Sequence, residues 1–241
     1  MNILKFFRNS RLIGFSAICF LIFSCSQYDL NQERAFDFAI YEAYKDNPLS
    51  KSTKDLIASS LRNRTSNLSF KRQILEQINQ QYNSNLDISD PMLELSDYNV
   101  DDMKAYSLTN GLLNQSEINM LDELASDIQA TNLDDALLSF EDKVVSLNLD
   151  QSTFEKYNYV ANSLKVIDEE NPSLFDSSTS RNSNGPIACI VAFIVWVAGI
   201  VGFVTGCATV FLCALAGVAL LAATADLVLE CVPNTPGAGL E

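Results

Sequence analysis

The chain has 241 residues, 16 Lys and Arg against 30 Asp and Glu, and no histidine, for a formal net charge of -14. That balance repels nucleic-acid phosphates and anionic headgroups, so the chain is read as binding no nucleic acid. Without histidine the usual Ser-His-Asp and Cys-His arrangements are excluded, and the sequence has neither a Gly-rich phosphate loop nor a G-x-S-x-G elbow. The expectation is a non-enzymatic protein with no catalytic residue, cofactor or metal.

Residues 1–12 carry Lys5, Arg8 and Arg11 and no acid, residues 13–23 form a short apolar core, and Ser24-Cys25 follows. The core is about half the roughly 20 residues of a spanning helix, so residues 1–24 are predicted to be a cleaved export signal. The stretch Ile22-Phe23-Ser24-Cys25 resembles the lipobox of bacterial lipoproteins, although Phe23 stands where a small or aliphatic residue is usual. The resemblance implies that Cys25 is lipidated and becomes the first mature residue, with membrane lipid as its partner. Of six cysteines, Cys19 then leaves with the signal and Cys25 takes the lipid. The remaining four are even in number and exported to an oxidising compartment. Two of these lie deep in an apolar run without a nearby carboxylate, which argues against zinc.

Residues 25–175 read as an acidic helical domain. Between residues 26 and 185 there are 13 Lys and Arg against 27 Asp and Glu. Phe36, Ile40 and Ala43 or Tyr44 mark a helix after Leu30, residues 56–61 a weaker one, and Ile74 or Leu75, Ile78 and Tyr82 another after Asn67. Residues 83–111 are the least regular part, with turn signals at Asp90-Pro91 and Asn110-Gly111. The acids Asp87, Asp90, Glu94, Asp97, Asp101 and Asp102 lack the EF-hand spacing and are read as solvated surface. Glu169 and Glu170 are read as a solvated helix end.

Asn114-x-x-Glu117 resembles a capping box, and Ile118, Leu121, Ala125 and Ile128 follow on one helical face. Leu133, Leu137, Phe140 and Val144 form a second stripe. Ser152-x-x-Glu155 is read as the cap of a third helix, with Phe154, Tyr157, Ala161 and Leu164 on its buried side. Three successive amphipathic helices on short turns predict an all-α fold, an acidic antiparallel bundle.

Residues 176–186 are a polar linker: DSSTSRNSN has no apolar residue. From residue 187 to residue 225 there is no charge, long enough for two passes of a bilayer. Cys189, Cys207, Cys213 and Cys231 are symmetric about Val210, which predicts a hydrophobic helical hairpin over 187–232, turning at 208–212 and followed by a flexible tail at 233–241. In helical arms Cys189 and Cys207 are roughly 27 Å apart, beyond the roughly 4.4–6.8 Å between the α-carbons of a disulfide, so the nested pairs Cys207–Cys213 and Cys189–Cys231 are favoured. Ala198, Gly202 and Gly206 recur every four residues as a helix-packing seam, opposite Ala214, Ala216, Gly217, Ala219, Ala222 and Ala223. The residues ATVFL at 208–212 hold no Gly, Pro, Asn or Asp, so a turn nearer Gly206, with the cysteine symmetry coincidental, is the alternative. Crossing a bilayer, docking on it and folding as a self-contained peptide all stay open.

With the lipobox around Cys25, the acidic helical body and the Gly- and Ala-rich apolar end, the chain resembles the uncharacterised small lipoproteins of the Bacteroidota. The resemblance implies a membrane-anchored protein of the bacterial cell envelope and brings no catalytic residues. The function expected is a structural or interaction lipoprotein whose acidic body meets a protein partner and whose hairpin inserts into a membrane or an assembly. The alternative is a precursor that is cut near Gly185 to release a bacteriocin-like membrane-active peptide, against which stands the lack of cationic residues in that peptide.

Overall fold

In the computed structural model, residues 35–63, 68–172, 175, 190–192, 194–198 and 210–225 are described, and all regular structure among them is helical. The described architecture belongs to the unit Phe36–Glu241. Its helices are α1 (Ala39–Asp46), α2 (Lys51–Asn63), α3 (Leu68–Tyr82), α4 (Asp90–Glu94), α5 (Val100–Thr109), α6 (Gln115–Ala130), α7 (Leu133–Ser146), α8 (Gln151–Glu170) and α9 (Val210–Thr224). A short 3-10 turn at Leu95–Asp97 follows α4, and residues 190–192 and 194–198 are also helical.

Polar side chains fix where the helices start. Asn114 accepts from the Glu117 amide at 3.0 Å while Glu117 accepts from the Asn114 amide at 2.8 Å, the reciprocal capping box expected from the sequence. Asn99 and Asn132 cap α5 and α7 in the same manner, each accepting from an amide three residues on at 2.9 Å. The cap of α8 differs from expectation: it is Asp150, which accepts from the Thr153 amide at 3.0 Å and from its hydroxyl at 2.7 Å, and Ser152 lies inside the helix. The backbone places Asp150 at the positive end of the helix, where its charge is favourable. The bonds to Thr153 hold the Asp150 carboxyl below its ordinary value. Asp90-Pro91, read as a turn, instead opens α4, because proline is compatible with a first helical turn. At the other ends, Asn83 and Asn148 adopt left-handed backbone with φ of 49° and 46°, and Gly111 does so at 66°.

The stripes predicted for α6, α7 and α8 are all buried. Consecutive helices α6 and α7, and α7 and α8, pack on one another, as do α2 and α3. The start of α1 is tied down by two asparagines one turn apart on α8. Asn158 Oδ1 accepts from the Asp37 amide at 2.9 Å, and buried Asn162 accepts from the Tyr41 amide at 3.0 Å while donating to the Asp37 carbonyl at 2.8 Å. The pairing satisfies backbone groups that would otherwise be stranded beside the core.

Against the sequence expectation, the second arm of the apolar segment lies inside the body. Helix α9 packs against α1, α2, α3 and α8, and residues 213–225 are buried throughout. Among the described residues no helix is long and apolar enough to cross a membrane. Residues 213–225, expected to insert into a membrane or an assembly, find apolar surroundings between the body's own helices. Residues 210–212, part of the expected turn, instead form the first turn of α9, so the centre of the cysteine symmetry is helical, and the rest of the expected turn lies outside the described residues.

Candidate functional site

Helix α9 has apolar residues on every face: Cys213, Leu215, Val218, Leu220 and Leu221 are interleaved with Ala214, Ala216, Gly217, Ala219, Ala222 and Ala223. A helix without a polar face has two stable homes, the centre of a protein and the interior of a bilayer. Here four helices supply the first. The small residues let those helices approach closely, and each fully buried leucine or valine contributes roughly 1.5–3 kcal/mol relative to exposure. Thr224, the one polar residue of α9, is buried and returns its hydroxyl to the Leu220 carbonyl at 2.7 Å, so it makes no demand on the walls.

Polar contacts join the body to the described parts of the apolar segment. The Tyr159 hydroxyl on α8 donates to the Ala214 carbonyl at 3.3 Å. Burial pushes the Tyr159 phenol well above its ordinary value, so it stays a donor, with Ser163 acting weakly in the other direction. The indole N–H of Trp196 donates to the Met92 carbonyl at 3.4 Å, and Trp196 is completely buried. Cys213 is disulfide-bonded, and its sulfur lies 3.5 Å from Asn85 Oδ1.

The two ends of α9 differ. At its start Val210 and Phe211 are 52% and 46% exposed. Near its end Ala222 floors a cavity of about 200 Å³ walled by Leu49, Ile57 and Ala58 and rimmed by Lys54 and Glu170. Glu170, expected to be solvated, is bound on two sides: the Tyr44 hydroxyl donates to it at 2.7 Å and Lys54 pairs with it at 2.8 Å. Burial first, and then Glu170, raise the Tyr44 and Tyr82 phenols well above their ordinary value.

Of the four mirrored cysteines and the seam residues Ala198, Gly202 and Gly206, Cys213 and Ala198 are described, both buried. Cys25, Cys189, Cys207, Cys231, Gly202 and Gly206 lie outside the described residues, and so do the other half of the Cys213 disulfide, the linker and the export signal. The acids of residues 87–102 are spread along the body's edge: Asp90 pairs with Arg72 and Asp97 with Lys71. No group of three or more His, Cys, Asp or Glu able to hold a metal occurs among the described residues. Sequence reasoning missed Tyr159 and Trp196 as contacts of the apolar segment. Their type was the available signal, since a buried tyrosine or tryptophan needs a partner for its polar atom.

No protein-family model matches the chain, and neither the curated proteins nor the solved structures compared with it include a match.

Proposed function

We propose that the protein is a non-enzymatic lipoprotein of the bacterial cell envelope, of the Bacteroidota type, anchored through Cys25, whose acidic antiparallel helical body holds an apolar segment for insertion into a membrane or an assembly. The observation that carries this reading is the enclosure of α9, apolar on every face, by α1, α2, α3 and α8. Such a helix satisfies most of its own backbone, so moving it from a protein interior to lipid breaks the ties through Tyr159 and Trp196 and few other polar contacts. The body does for the segment in water what lipid does in a bilayer, and it needs no catalytic group to do so.

Length fits a segment larger than α9 alone. Fifteen helical residues measure about 22 Å, short of the roughly 30 Å of hydrocarbon, whereas the uncharged run of residues 187–225 offers about the length of two arms. Nested disulfides through Cys207, Cys213, Cys189 and Cys231, with a seam at Ala198, Gly202 and Gly206, belong to the same reading. The acidic surface is available to a protein partner.

The test is mass spectrometry of the full chain from the membrane fraction without reduction, followed by hydrogen exchange of the same material with and without phospholipid vesicles. Acyl mass on Cys25 and transfer of residues 190–225 from body-protected to lipid-protected amides are expected. A chain without acyl groups whose apolar segment keeps the same protection at every lipid concentration overturns the reading. A free fragment starting near Gly185 replaces it with the peptide-precursor alternative.

A further inference from the structure

One stretch of the body, residues 85–97, touches both described parts of the apolar segment. At one end Asn85 lies beside Cys213, and near the middle the Met92 carbonyl accepts from Trp196. Between and beyond these points Leu86, Ile88, Met92, Leu93 and Leu95 all point inward and are buried.

A single helix, α3, holds this stretch at three places. At its root, Asn79 mimics a strand neighbour: its Nδ2 donates to the Leu86 carbonyl at 2.8 Å and its Oδ1 accepts from the Leu86 amide at 3.0 Å. In the middle, Arg72 Nε donates to Asp90 at 2.8 Å, with Asp87 3.8 Å from the same guanidinium. At the far end, Lys71 pairs with Asp97 at 2.6 Å. Lys71 is fully buried while Asp97 is 42% exposed, so the ammonium has been drawn into the body to reach a carboxylate at its edge. Lys71 and Arg72 are sequence neighbours, and they grip opposite ends of one short run, Asp90 to Asp97. A cavity of about 420 Å³ opens beside the root, lined by Arg72, Asn79, Ser84, Leu86 and Asp87.

We propose that residues 85–97 are a strap that locks the apolar segment into the body, and that release of its Lys71–Asp97 and Arg72–Asp90 grips is the step that frees the segment. The proposal rests on the body being a holder and names how the holding is regulated. Its physical basis is that a segment can open locally at lower cost than unfolding the whole molecule, and that these polar ties add to the burial of Leu86, Ile88, Met92, Leu93 and Leu95 in holding the stretch closed.

Trp196 is the chain's single tryptophan, so it reports strap opening directly. In the full chain, Lys71→Met keeps the stem that fills the space and leaves Asp97 free to meet water, and Arg72→Gln loosens the middle grip. Each is expected to raise the acrylamide accessibility of Trp196 about tenfold at temperatures where far-UV helicity is unchanged, as local opening should. Lys143→Met, which breaks the pair with Glu123 between α6 and α7, serves as control and should leave Trp196 shielded. Trp196 exposure that stays at the unmodified level in both variants, or rises only together with loss of helicity, overturns the strap. Dye release from phosphatidylethanolamine–phosphatidylglycerol vesicles separates the two ideas. Exposure of Trp196 without faster dye release keeps the strap and sinks the holder's membrane role. Dye release by the unmodified chain that neither variant changes keeps that role and sinks the strap.

Discussion

The hydroxyl of Tyr159 donates to the carbonyl of Ala214 across 3.3 Å, joining the middle of α8 to the first turns of the apolar helix in a fully buried place. It is a polar tie on a surface otherwise held by apolar contact, so it sets the position of α9 along its axis more than its affinity for the body.

Tyr159→Phe keeps the ring and removes that tie. A single buried hydrogen bond between neutral groups contributes about 0.5–1.5 kcal/mol, and urea denaturation should show a loss in that range. Tyr159→Ala also empties the ring's volume and should cost about 3–5 kcal/mol in the same measurement.

Ala216 is completely buried where the body closes on α9. Ala216→Leu adds three carbons to a filled site and should destabilise the protein by about 1–3 kcal/mol by overpacking. The same substitution is neutral in a bilayer, so the variant should partition to phospholipid vesicles more readily than the unmodified chain. Equal thermal stability of the two proteins would refute the enclosure of α9.

Tyr41 donates to Glu169 at 3.2 Å, and its phenol is pushed up to about 12 by partial burial, then by that bond and the carboxylate's charge. Because the folded value lies above the ordinary 10.0, the stabilisation from this group is full below pH 10 and is lost as pH rises through about 12. A phenolate absorbance titration should place Tyr41 at the upper value, and Glu169→Gln should bring it down.

Burial raises the Asp168 carboxyl above its ordinary 3.8, Asp134 and Glu169 add to the effect, and Lys165 opposes it. The neutral acid is therefore the form that the fold favours, and its contribution is full below the ordinary carboxylate value and lost as pH rises through the raised one. Asp168→Asn should melt higher than the unmodified protein at pH 7, and the gap should close by about pH 3. A lower melting temperature for the variant at pH 7 contradicts this.

Much of the body was legible because its helices are amphipathic. The stripe Ile118, Leu121, Ala125, Ile128 and the pair Asn114 and Glu117 each carry local information that needs no tertiary partner to be read. The cap at Asp150 was missed because Ser152-x-x-Glu155 matches a capping box two residues later, and only the backbone decides between them. The place of α9 was not legible at all. A run that is apolar on every side carries no direction, and bilayer and protein core write the same sequence. Trp196 and Tyr159 gave a hint through their polar atoms, yet pairing them with Met92 and Ala214 needs the coordinates, since each pair is far apart along the chain.

The helix at the centre of this structure is the last one in the described chain. During synthesis α1, α2, α3 and α8 all emerge before the residues that fill the space between them, so the walls must wait, with their inner faces bare, for a plug that arrives at the end. A nascent chain in that condition is prone to stick to its neighbours and depends on chaperones along its route. Truncation before Val210 should therefore yield aggregation in place of a smaller working body.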